Sequence, residues 1–242
     1  MKDNFSKQAE GYSKFRPSYP QELYEYLIRR CSALDLAWDC GTGNGQVASV
    51  LAHRFGQVIA TDISQAQLNL ARKAENILYQ LTAAEESGIT SNSVNLITVA
   101  QAIHWFDFDA FYKEVVRVAE KDCLLAYWAY DLPRINTKID RSVVHFHDKV
   151  IGPYWDLERG YWRKKYKNIQ YPLRSFEKKT FTFRESWEFK NLQGYLNSWS
   201  GVQHYIDKNG QNPVFEALKP LQESWKKPIQ VKFPIFLYAG LV

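Results

Sequence analysis

The stretch Leu36-Ala37-Trp38-Asp39-Cys40-Gly41-Thr42-Gly43-Asn44-Gly45-Gln46-Val47 passes from an apolar run, through three alternating glycines, into a helical pattern. Residues 34–40 read as a buried strand and residues 47–55 as a helix. Between them, glycine lets the chain turn at positive φ and lets another molecule approach the backbone closely. The first turn of the helix offers N–H groups with no partner inside the helix. A strand, a glycine turn and a helix in this order suit a nucleotide-type ligand, although a tight turn alone would need the same glycines. Two details narrow the ligand. The glycines run G-x-G-x-G, and Gln46 stands where a dinucleotide loop would carry its third glycine. Asp39 precedes the first glycine; a carboxylate there suits a ligand with a positive end and sits poorly beside a pyrophosphate.

The alternation continues on both sides. Pro20 opens a helix over 20–30, with Leu23, Tyr26 and Leu27 at helical spacing. A second strand over 57–61 ends at Asp62, and Ser64 with Gln67 has the form of a capping box, which predicts a helix from 65 to about 75. Strands follow over 77–81, 94–100 and 123–129, and Phe111, Val115 and Val118 mark a helix before the last of them. After Tyr130 the pattern changes. Residues 131–176 are polar, aromatic and irregular, with a helix around 138–150; a strand over 180–183, a helix over 187–199 and a terminal strand over 229–238 complete the chain. Pro234 inside that last strand predicts an edge position or a bulge. Strands separated by helices imply right-handed crossovers and a parallel sheet covered on both faces. The expected class is therefore α/β: a Rossmann-like, mostly parallel seven-stranded sheet with helices on both faces, forming a single domain over 1–242 with an inserted substrate cap over 131–178. Ligands of such sheets bind beyond the C-terminal strand ends, where strand order reverses.

The totals agree with one soluble domain. The chain has 242 residues, 45% of them hydrophobic, with a net charge of +5 and no Lys/Arg block of the kind that marks a nucleic-acid arm. Basic residues crowd 159–190, which reads as a solvated face, with a docking surface for an acidic partner as the alternative. The aromatic share is high at 15%, including 8 Trp and 15 Tyr. Such a surplus needs a large core, a ligand pocket or an interface. Cys31, Cys40 and Cys123 are widely spaced and form no Cys-x-x-Cys pair, so neither a disulfide framework nor a metal site is expected and a reducing cytoplasm fits best. The first residues lack the apolar stretch of a signal peptide. No apolar run approaches the ~20 residues of a membrane span.

The segment from Asp39 to Gly45 resembles motif I of class I S-adenosylmethionine-dependent methyltransferases, and the resemblance continues downstream. It implies S-adenosyl-L-methionine as cofactor, held by Asp39, Gly41, Thr42, Gly43 and Gly45. Asp62, about 20 residues past the glycines, would accept both ribose hydroxyls, as one carboxylate can do for a vicinal diol; a helix N-terminal acid stabilised by the helix dipole is the alternative. Ile63 would lie against the adenine. Ala83-Ala84-Glu85-Glu86 is similar to the family's adenine-contacting segment: the backbone at Ala84 would meet the base and Glu85 its amino group, with a plain acidic turn as the alternative and Glu86 exposed. Ala100-Gln101-Ala102-Ile103-His104-Trp105-Phe106 resembles motif IV in the form carried by small-molecule enzymes similar to trans-aconitate methyltransferase. Gln101 would lie near the methionine part of the cofactor, and His104 and Trp105 would face the methyl group and the acceptor, with His104 the candidate to polarise or deprotonate it. The arm Tyr12-Ser13-Lys14-Phe15-Arg16-Pro17 resembles a lid in these relatives. Arg16 would bind the methionine carboxylate and Tyr12 cover the sulfonium; packing of the arm on the sheet by its aromatics is the alternative. Asn197-Ser198-Trp199-Ser200 resembles a substrate-side segment.

The resemblance covers 12–128 well, 180–205 and the last strand loosely, and 131–176 not at all. It implies a small-molecule acceptor such as a carboxylic acid, which a cation should then neutralise; Arg134, Arg159, Arg163 and Arg174 lie in the unmatched segment, and the sequence does not choose among them. Three rival readings stand beside it. A nicotinamide-dependent oxidoreductase explains the glycine turn and Asp62, but not Asp39 or Gln46. A protein that binds S-adenosylmethionine without catalysis would keep the same loop. An RNA or protein acceptor is permitted by the basic stretch, but no RNA-binding appendage or Asn-Pro-Pro-Tyr-type motif follows the fourth strand.

Overall fold

The computed structural model describes residues 15–223 and 225–242. Alternating helices and strands occupy the first half: helix α1 (Gln21–Ile28), strand β1 (Leu36–Cys40), α2 (Gln46–Leu51), β2 (Gln57–Asp62), α3 (Gln65–Asn69), β3 (Ile77–Leu81), β4 (Val94–Ala100), α4 (Phe108–Val118) and β5 (Ala119–Tyr130). The second half contains α5 (Thr137–His145), a π-helical turn (Phe146–Val150), α6 (Arg159–Arg163), β6 (Arg174–Trp187), α7 (Phe189–Asn197), α8 (Ser200–Asn209), α9 (Val214–Gln222) and β7 (Ile229–Leu241).

The strands form one seven-stranded sheet in the order β3-β2-β1-β4-β5-β7-β6. Neighbours from β3 to β5 are parallel, whereas β7 runs antiparallel to both β5 and β6. The expected mostly parallel Rossmann-like sheet is therefore present, with one antiparallel strand. From β1 the chain moves outward to β2 and β3, then returns to the other side of β1 as β4. Right-handed crossovers in opposite directions place helices on opposite faces. The point of reversal lies between β1 and β4, paired through Ala37–Leu96 and Asp39–Thr98, and the glycine loop leaves β1 at that point.

Burial explains the strand sequences. In β4, Val94 to Val99 are all buried, and in β5 so are Cys123 to Tyr130, as continuous apolar strands covered on both faces should be. Asn95 and Thr98 are the polar exceptions in β4. Asn95 organises the strand starts. Its Oδ1 accepts from the backbone N–H groups of Asp35 and Leu36 at 3.0 and 2.9 Å, and its Nδ2 donates to Glu120 at 2.5 Å; one side chain thus fixes the start of β1 against β4 and β5.

Three elements differ from expectation for identifiable reasons. Ser64 caps α3, its Oγ accepting from Gln67 N, but the helix ends at Asn69, short of 75. The chain there turns to the glycine loop: Arg72 N donates to Asn44 O at 3.2 Å, and Tyr79 OH donates to Arg72 O. The sixth strand is 14 residues long, not four. It forms the sheet edge, and its exposed Lys178, Lys179 and Arg184 make that edge unsuited to pairing with another chain; the basic stretch is here a solvated face. β7, expected at an edge because of Pro234, is internal. Pairing with β5 ends at Tyr130–Ile235, so Pro234 sits where β5 has run out and no N–H is required of it; Pro234 O still accepts from Asp131 N.

Replacing Asn95 by Ala leaves two backbone donors without their acceptor. Unfolding in urea should show a loss of about 2 kcal/mol, with the slope of the transition unchanged; a loss below about 0.5 kcal/mol would remove Asn95 from this role.

Candidate cofactor and acceptor site

The glycine loop is held from beneath by Asp39. Its Oδ2 accepts from Thr42 Oγ1 at 2.5 Å and from Ala48 N at 3.1 Å, and its Oδ1 accepts from Thr98 Oγ1 at 2.8 Å. The side chain is buried, and burial raises its pKa to about 6 against the pull of these three donors. The sequence placed this carboxylate against a ligand's positive end; in the fold its oxygens face the protein, and it organises the turn. Thr42 N donates to Thr61 O at 2.9 Å, joining the loop to the end of β2.

All three glycines adopt positive φ, and each has a different neighbour. A Cβ on Gly41 would stand 2.6 Å from Ala102 Cβ, and one on Gly45 2.1 Å from Tyr79 OH. A Cβ on Gly43 would meet nothing closer than Gln67 Oε1 at 3.7 Å. The first and third glycines thus serve packing within the chain, while the middle one faces open space. Gly43 N donates to Asp62 Oδ2 at 2.8 Å, and Ser64 N donates to Asp62 Oδ1 at 2.9 Å, so Asp62 stands at the end of β2 directly against the loop. Ile63 beside it is half-buried and lies outside the packed core. Ala84 is buried. Glu85 Oε1 accepts from Asp107 N at 2.9 Å, which ties the loop after β3 to the start of α4; Glu86 is exposed.

Across the switch point, Gln101 has φ +59°, an uncommon conformation for a side-chain-bearing residue. Its N–H donates to Trp128 O at 2.9 Å, and its buried Nε2 has no hydrogen-bond partner. A 3-10 turn, Ile103–Trp105, follows. His104 is buried, and its Nδ1 shares a 2.7 Å hydrogen bond with the Tyr166 hydroxyl. Burial, with the Arg159 charge nearby, pushes the imidazole well below its ordinary pKa, so it is neutral at pH 7. The Trp105 ring lies 4.9 Å from it.

Sequence reasoning missed Tyr166, which lies in the segment without a counterpart. Lys165 and Tyr166 both have positive φ, at 53° and 57°. Two consecutive left-handed residues cost roughly 1–3 kcal/mol each and persist only where the surroundings fix them. Here Tyr238 OH donates to Lys165 O at 2.7 Å, and the Tyr166 ring packs edge-on against Phe236 at 5.3 Å. The same segment is fastened to β5 by Trp162 Nε1 donating to Tyr130 O and by Tyr127 OH donating to Ile169 O, each at 3.0 Å. Six of the eight tryptophans are buried; the two half-buried ones, Trp105 and Trp155, stand beside His104 and Arg159 respectively.

The arm reaches the same region. Tyr12 lies outside the described residues. Arg16 donates to Tyr130 OH at 2.9 Å and to Ser198 O at 2.8 Å. Phe15 covers Gly194 of α7, where a Cβ would come within 2.4 Å of the ring, and Gln46 Nε2 donates to Pro17 O at 3.3 Å. The arm therefore spans from the helix behind the glycine loop to the α7–α8 junction. Asn197 ends α7 and Ser200 begins α8, which places the Asn197-Ser198-Trp199-Ser200 segment under Arg16. Among the described residues no group of three or more His, Cys, Asp or Glu side chains is placed to hold a metal.

The family description "Methyltransferase domain" matches residues 38–127. A Dictyostelium discoideum protein named as a methyltransferase is 35% identical over 245 residues, covering 97% of this chain and 93% of its own. The chain belongs to the class I S-adenosylmethionine-dependent methyltransferases. A solved structure from Anaeromyxobacter dehalogenans, described as a type II methyltransferase, superposes with a TM-score of 0.85 at 32% identity, covering 94% of this methyltransferase and 98% of that chain. Phosphoethanolamine N-methyltransferase 2 of Haemonchus contortus, solved with phosphomonomethylethanolamine and S-adenosylhomocysteine, shares the fold at a TM-score of 0.50 and 16% identity, covering 98% of this chain and 57% of its own. The cofactor is S-adenosylmethionine, and the nicotinamide reading falls with that finding. The residues fit the cofactor: an open approach at Gly43, a carboxylate at the end of β2, and a buried amide donor at Gln101 without an acceptor. Among the described residues no helix is long and apolar enough to cross a membrane.

Because only the backbone conformation opposes a side chain at Gly43, Gly43→Ala should cost about 1 kcal/mol of stability. Calorimetry should nonetheless show S-adenosylhomocysteine affinity falling by about tenfold or more, since the methyl group fills the approach. Unchanged affinity would mean that the ligand does not pass over Gly43.

Proposed function

We propose that this methyltransferase acts on a small-molecule acceptor such as a carboxylic acid, inside a closed aromatic site rather than on an open groove for RNA or protein. The observation that carries this reading is the enclosure at the strand ends: the residues between β5 and β6 are fastened over β5 through Trp162 and Tyr127 and bring Tyr166 onto His104. The proposed cap is therefore the segment following β5. A small-molecule acceptor is also what the resemblance at 100–106 implies.

In this reading Gly41, Thr42, Gly43 and Gly45, shaped by Asp39, form the cofactor loop; Asp62 receives the ribose hydroxyls; Ile63, Ala84 and Glu85 border the adenine; Gln101 and Arg16 border the methionine part. When bound, S-adenosylmethionine supplies an electrophilic methyl group on a positively charged sulfur. The protein's share of the rate is alignment and exclusion of water, which in favourable cases lowers barriers by about 7–11 kcal/mol. An ionised carboxylate needs no proton removed, so His104 and Trp105 shape and polarise the acceptor side. For an acceptor that must lose a proton, the neutral His104 would take it, with its Nδ1 engaged by the Tyr166 hydroxyl.

Methyl-labelled S-adenosylmethionine supplied with fractionated cell extract tests the acceptor class. Label should appear in the small-molecule fraction as a base-labile ester; label in RNA or protein would sink the reading. The state of His104 gives a second expectation. Its pKa lies below the ~6.5 of an unfolded chain, so protons favour the unfolded state and stability is lost as pH falls below about 6.5. Turnover of the folded enzyme should therefore show no titration of His104 at or above pH 6.5, so His104→Ala should leave the shape of the pH profile there unchanged. His104→Ala with cofactor affinity unchanged should lower turnover by about a hundredfold if it acts as a base, and near-normal turnover would end that role.

A further inference from the structure

Five arginines lie in the segment after β5, and the fold separates them. Arg163 pairs with Asp148 at 3.1 Å, Arg174 pairs with Asp122 at 2.9 Å, Arg141 is exposed on α5, and the backbone of Arg134 is drawn into a bridge with Lys232 at the sheet margin. Arg159 alone of the five is turned into the interior beside His104. Its guanidinium carbon stands 3.8 Å from the centroid of the Trp162 ring and 4.6 Å from that of Trp155. Glu158 adjoins it in the sequence and Asp156 lies three residues before it, yet Arg159 forms no ion pair among the described residues, and its buried Nε has no hydrogen-bond partner among them.

The surroundings sharpen this. The groups that act most strongly on Arg159 are the Arg16 cation and the phenols of Tyr195, Tyr166 and Tyr130; no carboxylate stands among them. Enclosure and the Arg16 charge push its pKa down to about 10, which still leaves it charged at neutral pH. The positive field reaches further: it contributes to keeping both His104 and His147 neutral. Stacking on two indoles offsets desolvation only in part, since a cation over an aromatic face is worth about 0.5–2 kcal/mol. A guanidinium held by ring faces, with edge donors unspent and a second arginine near it, is preorganised for a planar anion that accepts two parallel N–H bonds.

We propose that Arg159 is the specificity-determining residue of the acceptor site, binding the carboxylate of the acceptor between the Trp155–Trp162 pair and His104. This rests on the small-molecule reading above and narrows it to carboxylic acids with an apolar or aromatic body, which the surrounding rings would cover. It also assigns a purpose to the segment that the resemblance leaves unmatched: its short helix α6 carries the charge that selects the acceptor.

The test uses the full chain saturated with S-adenosylhomocysteine and follows tryptophan fluorescence, since two tryptophans flank the guanidinium. The probes are benzoate, trans-cinnamate and octanoate, each titrated against its neutral amide. Wild-type protein should bind at least one acid about tenfold or more tightly than its amide. Arg159→Gln should abolish that preference while leaving S-adenosylhomocysteine affinity within about twofold, and Arg159→Lys, which keeps charge without the planar fork, should fall between. The proposal is overturned if wild type prefers none of the acids to its amide. It is equally overturned if Arg159→Gln retains the preference, or if that variant loses S-adenosylhomocysteine affinity while retaining it, which would assign the arginine to the cofactor's own carboxylate. The wild-type comparison needs no variant to fold. Labelled transfer to RNA or protein, by contrast, would defeat the small-molecule reading whatever these titrations show.

Discussion

The buried carboxylate of Asp39 is the constraint on which the site depends. It accepts from Thr42 in the glycine turn, from the Ala48 backbone in α2 and from Thr98 in β4, so one side chain ties together the strand that enters the loop, the helix that leaves it and the strand across the switch point. A buried charge is tolerated only when it is satisfied, and here the three donors define where the turn must lie. With the turn fixed, Gly41 can close against Ala102, Thr42 can reach Thr61, and Gly43 is left facing outward with Asp62 beside it. The glycines make the turn possible; Asp39 makes it single-valued.

This division explains what the sequence could and could not disclose. The parallel half was legible because its signals are local: apolar runs of strand length, glycines at the first turn, an acid at the end of β2. Boundaries failed where a long-range bond overrode local propensity. The helix after Ser64 has the sequence to continue, but Arg72 and Tyr79 draw the chain to Asn44. Pro234 argued for an edge because it lacks a donor, and the fold satisfies the same rule differently by ending β5 one residue earlier. Asp39 was expected to face the positive end of a ligand, but its oxygens accept from the protein itself, since a sequence shows that a carboxylate is present and not which way its oxygens point.

The second half of the chain was illegible for a different reason. The segment after β5 has no regular period over most of its length, and its important contacts join residues far apart: Tyr166 to His104, Trp162 to Tyr130, Tyr127 to Ile169. Its aromatic content hinted that the surplus served more than a core. The structure divides that surplus: most tryptophans are packed away, while Trp105 and Trp155 remain half-buried beside His104 and Arg159 respectively. The placement of Arg159 against two indoles, with no carboxylate partner among the described residues, could not be read from composition, because it exists only in three dimensions.

Backbone strain marks both segments that meet at His104. Gln101 at the end of β4 and the Lys165–Tyr166 pair after α6 both adopt left-handed conformations without being glycine. Neither is needed to form a sheet or a helix. The first turns the chain so that the peptide after β4 faces the glycine loop; the second turns a phenol onto His104, which belongs to that same post-β4 turn. Strain of this kind survives only where surrounding bonds over-determine it, and those bonds come from β5 and β7: Trp128 O on one side, Tyr238 OH and Phe236 on the other. The antiparallel strand β7 therefore does more than widen the sheet. Paired beside β5, it supplies the anchor that holds Tyr166 in register with His104. The segment around Tyr166 is in this way positioned by the rigid sheet, even though its sequence reads as irregular.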